Sequence, residues 1–344
     1  MVKICVTGDR VASLREAALR MAPELEVLTL GGDGALDGDP AGLEVLYFSL
    51  GVTKYPAATQ RVLELFHAPG LRWVQSPGAG VDHPIWQTLL DRGVRLTNAS
   101  GIHAEPIAQY IFTYVLFWER EVARHLEQQR RRHWEIVSCG DLVGRTLGIV
   151  GYGGIGRATA RVAKAFGMRV VGCRRTRVDD PLLDRQVGPD GLHALLAESD
   201  YVVLCMPYSD ETRGMIGRAE LEAMQEHAVL VNVARGGVVD EPALVEALRA
   251  GRIRGATLDV VAEEPLPPDS PLWTLERCVI TPHDAGYSPR GDERLGELFL
   301  DNLGRYVRGE PLRNEIASRG LSGDRGGPAR RAAELPPGEA PGEA

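Results

Sequence analysis

Short apolar runs alternate with amphipathic stretches along nearly the whole chain, the pattern of strands and helices taking turns around parallel sheets. In the first hundred residues the runs 2–7, 25–30, 44–49, 71–75 and 93–97 read as strands, with helices near 10–21, 56–66 and 84–91 between them. From 102 to about 129, Ile107, Ile111, Val115, Trp118, Val122 and Leu126 recur at spacings of three and four. That spacing predicts one long helix with a single apolar stripe, expected to bridge two lobes or to pack across a dimer. A second series follows: strand 146–150, helix 154–166, strand 168–172, strand 201–205, helix 217–225, strand 228–233, helix 241–249, strand 254–259 and strand 277–281. Two α/β lobes are therefore expected. The last 27 residues, from Ser318, hold six Gly and four Pro with no aromatic residue and no apolar period, which predicts a disordered tail.

Composition narrows the class. With 44% hydrophobic and 25% charged positions, the 344 residues suffice for two globular cores. No apolar run reaches the roughly 18 residues of a membrane span, and the N-terminus enters a strand-like run directly, so a cytoplasmic enzyme is expected. Five cysteines (Cys5, Cys139, Cys173, Cys205 and Cys278), odd in number and without a CxxC pair, argue against a disulfide framework or a zinc knuckle, and no metal is expected. The net charge is −8, with three lysines and 36 arginines against 47 acids, which gives nucleic-acid binding no general support. The densest basic stretch, Arg130-Arg131-Arg132, follows a helix carrying Glu119, Glu121 and Glu127 and reads as a solvated helix end.

The strand 146–150 runs into Gly151-Tyr152-Gly153-Gly154-Ile155-Gly156 and then a helix. Gly151 permits the tight turn, Gly153 lets backbone amides approach a pyrophosphate, and Gly156 lets the helix pack closely on the strand. The positive end of the helix attracts the phosphates, so this segment is assigned to dinucleotide binding. An NAD-specific unit places an acid about 20 residues further on, at the end of the next strand. Here Arg174-Arg175-Thr176 follows that strand, and no acid appears until Asp179. Two guanidiniums and a hydroxyl suit a 2′-phosphate, so NADP is the expected cofactor, with NAD as the alternative. Near the N-terminus, Gly8 ends a strand without the second and third glycines and reads as a plain turn.

Ligands of open α/β sheets bind beyond the carboxyl ends of the strands. In the second lobe Arg235 follows strand 228–233, Glu264 follows strand 254–259, and His283 follows strand 277–281. A guanidinium for a carboxylate, a histidine as proton donor and a carboxylate to orient it together suit the reduction of a 2-oxo acid.

At these residues the sequence resembles the D-isomer-specific 2-hydroxyacid dehydrogenases, a group that includes glyoxylate/hydroxypyruvate reductases, phosphoglycerate dehydrogenases, formate dehydrogenases and the C-terminal-binding-protein co-repressors. The resemblance covers roughly residues 44–316, through SPGAGVDH at 76–83, NASGIHAEPIAQY at 98–110, GRTLGIVGYGGIGRATA at 144–160, MPYSDETRGMIG at 206–217, VNVARGGVVDEPALVEAL at 231–248, LDVVAEEPLP at 258–267 and TPHDAGYSPR at 281–290. It implies His283 as acid/base, Glu264 as its partner and Arg235 as the substrate clamp. It further implies that Ala79-Gly80 amides and the loop of Leu50-Gly51 serve the substrate, that Asp259 holds the nicotinamide amide, and that Pro207, Thr212 and Ala234 line the cofactor site.

The fold implied is two flavodoxin/Rossmann-like lobes, each a doubly wound parallel sheet. The substrate lobe is formed by 1–100 with 288–317, the NAD(P) lobe by 101–287, usually in a homodimer. Two departures stand out: Gln109 replaces a usual glutamate near the hinge, and Asp284 follows the histidine where a small or apolar residue is usual; His103, in a segment that lines the substrate pocket in some relatives, reads as a solvent or hinge histidine. The expected function is an NADP-dependent reductase of small 2-oxo acids such as glyoxylate or hydroxypyruvate. A phosphoglycerate dehydrogenase-like NAD enzyme and a dinucleotide-sensing, co-repressor-like binding protein are the alternatives.

Overall fold

The computed structural model describes residues 2–81, 83–288 and 290–316. The tail expected from Ser318 lies outside the described residues. The chain divides into two compact units, Met1–Ile102 with the segment from Ser288 onward, and His103–Tyr287.

The first unit alternates strand and helix as its apolar pattern dictates: β1 (Lys3–Thr7), α1 (Val11–Met21), β2 (Glu26–Leu30), β3 (Val45–Tyr47), α2 (Pro56–Leu65), β4 (Trp73–Gln75), α3 (Pro84–Asp91) and β5 (Arg95–Thr97). The strands form one parallel sheet in the order β2-β1-β3-β4-β5. Both α2 and α3 begin with a proline in the first turn, where no backbone donor is lost. The C-terminal helix (Gly291–Val307) buries Leu295, Phe299 and Leu303 beside Tyr47 and Trp73, its Phe299 ring 4.7 Å from that of Tyr47. Leu50-Gly51 opens a short 3-10 turn after β3, and Ala79-Gly80 lies in the loop after β4, its Ala79 carbonyl accepting from Asn98 Nδ2 at 2.7 Å.

The second unit opens with a correction. The segment expected as one helix over 102–129 is two, α4 (Ala104–Glu119) and α5 (Val122–Arg130), broken where Glu121 takes a left-handed φ of 52°. The cause sits at the end of α4: Arg254 donates to the Trp118 carbonyl and to Glu121 Oε1, so a tertiary partner takes groups that would continue the helix. The stripe therefore ends near Trp118. α5 buries none of its residues, and Leu126 is 45% exposed. Arg130 and Arg131 at the end of α5 are exposed and pair with Glu127.

Then follow β6 (Thr146–Val150), α6 (Gly154–Ala165), β7 (Arg169–Cys173), β8 (Arg185–Val187), α7 (Leu192–Glu198), β9 (Tyr201–Leu204), α8 (Arg218–Ala223), β10 (Val229–Asn232), α9 (Glu241–Arg249), β11 (Gly255–Leu258) and β12 (Cys278–Ile280). The pattern gave no warning of β8 and α7. β8 is a three-residue edge strand with no fully buried position, and α7 is a short helix that buries Leu192, Leu195 and Leu196. All seven strands pair in parallel in the order β12-β11-β10-β9-β6-β7-β8. Because β6 sits between β7 and β9, the connections leave it in opposite directions, which opens a crevice at the carboxyl ends of β6 and β9. Cys5 and Cys173 are buried, and Cys139, Cys205 and Cys278 partly so, all as free thiols. Among the described residues no helix is long and apolar enough to cross a membrane.

Candidate active site

The parallel sheet of the second unit brings its chemistry to one edge. Val150 and Leu204 are register partners, so the glycine loop after β6 and the loop after β9 start side by side. Gly151 has a φ of +98°, and a Cβ there would lie 2.4 Å from the Met206 amide nitrogen. Both facts require glycine. A Cβ on Gly153 would meet nothing within 4 Å, so the loop leaves open space at the N-terminus of α6. Gly156 has the Gly151 carbonyl and the Ile149 side chain 3.0 Å from its Cβ position, which seats the helix closely on the strand. A glycine-only turn, open space and a helix N-terminus fit a pyrophosphate.

The rest of this cradle is pinned by side chains. Tyr152, 3% exposed, donates from its hydroxyl to Asp180 Oδ2 at 3.0 Å, and Arg157 of α6 donates to the same oxygen at 2.8 Å. Ile155 is half-buried at the start of α6, beside Gly154. Arg174, Arg175 and Thr176 are exposed beyond β7. Arg174 Nη1 donates to the Tyr152 carbonyl at 3.1 Å, which folds it over the glycine loop, whereas Arg175 pairs with Glu211 at 2.8 Å. Thr212 accepts from the Ser209 amide at 2.8 Å and donates to the Pro207 carbonyl at 2.9 Å, fixing the loop after β9. Sequence reasoning missed Asp180 and Glu211. Asp180 stands one residue past the acid noted there, and its partners are 28 and 23 residues away.

Strands β10, β11 and β12 end on the same edge. At the end of β10, Asn232 accepts from the Ala234 amide at 3.0 Å and donates to the Arg235 carbonyl at 3.1 Å, closing a turn that turns out Arg235. The Arg235 guanidinium donates to the Ala234 carbonyl at 2.8 Å. A Cβ on Gly236 would lie 1.9 Å from the Val261 carbonyl carbon, so this turn presses directly on the loop that carries Glu264. Within that loop the Val261 amide donates to Glu264 Oε1 at 3.2 Å, leaving Oε2 for the histidine.

His283 Nδ1 lies 2.8 Å from Glu264 Oε2. Burial works against ionisation of Glu264. The hydrogen bond and charge of His283, the Val261 amide and the Arg235 guanidinium outweigh it, so this carboxyl sits below the usual range. The hydrogen bond to Glu264 is also the largest influence on His283. Partial burial and Arg235 oppose it, the charges of Glu264 and Asp259 add to it, and the imidazole titrates above its ordinary value. An ionised carboxylate has no proton to give, so Nδ1 carries the hydrogen and Nε2 is the nitrogen that gains or loses a proton. Burial raises the Tyr110 and Tyr114 phenols, and the Asp284 carboxylate adds to both. His103 Nδ1 sits 3.2 Å from the Gly286 carbonyl, in the loop that follows His283.

A carboxylate-paired imidazole and a guanidinium at one sheet edge, in the unit that also holds the glycine cradle, can protonate an oxygen and bind a carboxylate. The model of the D-isomer specific 2-hydroxyacid dehydrogenase NAD binding domain matches residues 112–285. The chain belongs to this family. It is a 2-hydroxyacid dehydrogenase, an oxidoreductase acting on CH–OH groups with a nicotinamide dinucleotide. A glyoxylate reductase of Korarchaeum cryptofilum is 40% identical over 256 residues, which cover 72% of this dehydrogenase and 76% of that relative. The D-3-phosphoglycerate dehydrogenase of Methanocaldococcus jannaschii is 32% identical over 328 residues, covering 92% of this chain but only 59% of its own length. Among solved structures, a D-isomer specific 2-hydroxyacid dehydrogenase from Xanthobacter autotrophicus in complex with NADPH and MES superposes with a TM-score of 0.76. It is 30% identical, covering 93% of this chain and 99% of that one.

Proposed function

We propose that this dehydrogenase is an NADP-linked reductase of small 2-oxo acids, glyoxylate or hydroxypyruvate first among them. The observation that carries the proposal is the 2.8 Å contact between His283 Nδ1 and Glu264 Oε2, with Arg235 close enough to influence the titration of both. When bound, the reduced nicotinamide supplies a hydride to the carbonyl carbon. His283, held as imidazolium by Glu264, gives its Nε2 proton to the carbonyl oxygen, so that no free alkoxide has to form. Arg235 grips the substrate carboxylate through its planar fork and turns the carbonyl toward the imidazole. The glycine loop receives the pyrophosphate. The net change is 2-oxo acid plus NADPH and a proton to 2-hydroxy acid plus NADP.

The choice of NADP rests on Arg174 and Arg175 and on the absence of an acid directly after β7. The NADPH complex of the Xanthobacter relative points the same way; the higher identity to a glyoxylate reductase than to a phosphoglycerate dehydrogenase supports the choice of substrate. The test is NADPH and NADH oxidation followed at 340 nm with glyoxylate, hydroxypyruvate, pyruvate and 3-phosphohydroxypyruvate. We expect turnover of the first two, with kcat/KM favouring NADPH by at least about tenfold, roughly 1.4 kcal/mol and within reach of one charged contact. The double variant Arg174→Asp/Arg175→Ala should erase that preference. A preference for NADH in the unaltered enzyme contradicts the cofactor assignment. Tight dinucleotide binding without turnover of any 2-oxo acid favours a sensor.

A homodimer is the assembly we propose. Between α5 and β6 the chain runs without regular structure and leaves Trp134 98% and Ile136 91% exposed, an arrangement better suited to a partner than to water. Light scattering should give twice the mass of one chain, and Trp134→Ser/Ile136→Ser should lower it. A monomeric unaltered protein contradicts the assignment.

A further inference from the structure

Asp259 directly follows β11, 3% exposed, and its carboxylate organises the segment that carries His283. Oδ1 accepts from the Asp284 amide at 2.9 Å and the Ala285 amide at 3.2 Å, and Oδ2 accepts from the Ala285 amide at 3.1 Å. The backbone carbonyl of Asp259 accepts from the His283 amide at 2.8 Å. Between these anchors His283 takes a left-handed φ of 57°, a conformation that a non-glycine residue keeps only when its surroundings hold it there. The ring that presents Nε2 is thus aimed by the turn, and the turn by Asp259.

Asp259 has a further donor on the neighbouring strand end. Thr281 Oγ1 donates to Asp259 Oδ1 at 2.7 Å, and the Tyr110 hydroxyl, arriving from α4, lies 2.6 Å from the same Thr281 oxygen. Thr281 has one hydroxyl hydrogen, and Asp259 takes it. The direction of the chain is therefore set: Tyr110 donates to Thr281, and Thr281 donates to Asp259. Burial is the largest influence on the Tyr110 phenol and raises it; the contact with Thr281 opposes this, the charges of Asp259, Tyr114 and Asp284 add to it, and the phenol keeps its proton. Burial likewise pushes Asp259 up, against the hydrogen bond of Thr281, the amides of Ala285 and Asp284 and the charge of His283. Each donor delivered to this carboxylate therefore keeps a buried anion close to the imidazole.

We propose that Tyr110 and Thr281 are positioning residues of the reaction, a relay through which α4 sets the orientation and charge state of His283 by way of Asp259. The inference rests on the reading of His283 as the acid. Glu264 meets the ring directly, the charges of Arg235 and Asp259 also act on it, and the relay acts on the last of these. Removing the phenolic hydroxyl weakens the Asp259 anion and with it one of the charges that favour imidazolium.

The experiment compares the unaltered enzyme with Tyr110→Phe, Thr281→Val and Thr281→Ser. It measures kcat, KM and dinucleotide affinity, together with the pH titration of the His283 ring by NMR, assigned by loss of its signal in His283→Asn. Tyr110→Phe should lower kcat for reduction about three- to tenfold, the range of one neutral hydrogen bond, with KM and NADPH affinity within twofold. It should also move the His283 titration to lower pH. Thr281→Val should do the same, and Thr281→Ser should restore both relative to Thr281→Val. A folded Tyr110→Phe with kcat and titration unchanged overturns the proposal. Should that variant unfold, the Thr281 pair decides by the same two readouts. If the titration moves as expected while His283→Asn still reduces 2-oxo acids normally, the relay stands and the acid assignment falls.

Discussion

Replacing His283 with asparagine should lower kcat for 2-oxo acid reduction by about 10²-fold or more, the lower end of what a general acid contributes, and leave NADPH affinity within twofold. Asparagine is the informative choice because position 283 has a φ of 57°, a region that Asn enters more readily than Ala. Its amide can still meet Glu264, so the turn and its anchors to Asp259 survive while the titrating nitrogen is gone. His283→Ala should lose at least as much activity, with some added loss of stability from the strained backbone. Thermal melts alongside single-turnover rates separate the two effects. Near-normal turnover in a folded His283→Asn enzyme would mean that another group supplies the proton.

Arg235→Lys should be nearly as damaging as Arg235→Ala, each lowering kcat/KM for glyoxylate at least about tenfold, the low end for a hydrogen bond to a charged group. The two substitutions separate charge from shape. A lysine ammonium preserves the charge, but it cannot present two parallel donors to a carboxylate, nor can it reproduce the hydrogen bond by which the Arg235 guanidinium braces against the Ala234 carbonyl. Both variants should retain dinucleotide binding, because the glycine loop and α6 lie on other strands of the sheet. A lysine variant with full kcat/KM would show that charge alone is enough, and the proposed fork would have no role.

Much of this site was legible because its parts are local. A strand, three glycines in register and a helix announce the cradle by themselves, and a polar residue just past an apolar run announces a sheet edge, as Arg235 and His283 do. The parallel order of β10, β11 and β12 then brings Arg235, Glu264 and His283 to one edge without any further signal. What the sequence hid depends on partners far along the chain. The break at Glu121 is made by Arg254, 133 residues away, and no periodicity carries that information. Tyr110 stood beside Ile107 and Ile111 in an apolar stripe, where an aromatic reads as core, and its partner Thr281 is 171 residues distant. Asp259 offered no hint that its carboxylate would cap the turn of Asp284 and Ala285, although Thr281 does stand two residues before His283 within the TPHDAG motif.

The pH dependence of reduction by the unaltered enzyme and by Glu264→Gln tests the His283–Glu264 pair most directly. Reduction needs the imidazolium, so kcat/KM for glyoxylate should be level at low pH and fall as pH rises through the titration of His283, which the hydrogen bond to Glu264 holds above its ordinary value. Oxidation of the 2-hydroxy acid needs the neutral ring and should show the opposite limb, rising with pH through the same value. A neutral amide at position 264 keeps a hydrogen-bond partner for the ring but removes the charge that favours its protonated form. The falling limb in Glu264→Gln should therefore lie at lower pH, with partial activity retained below it. An unchanged profile in Glu264→Gln would contradict the account.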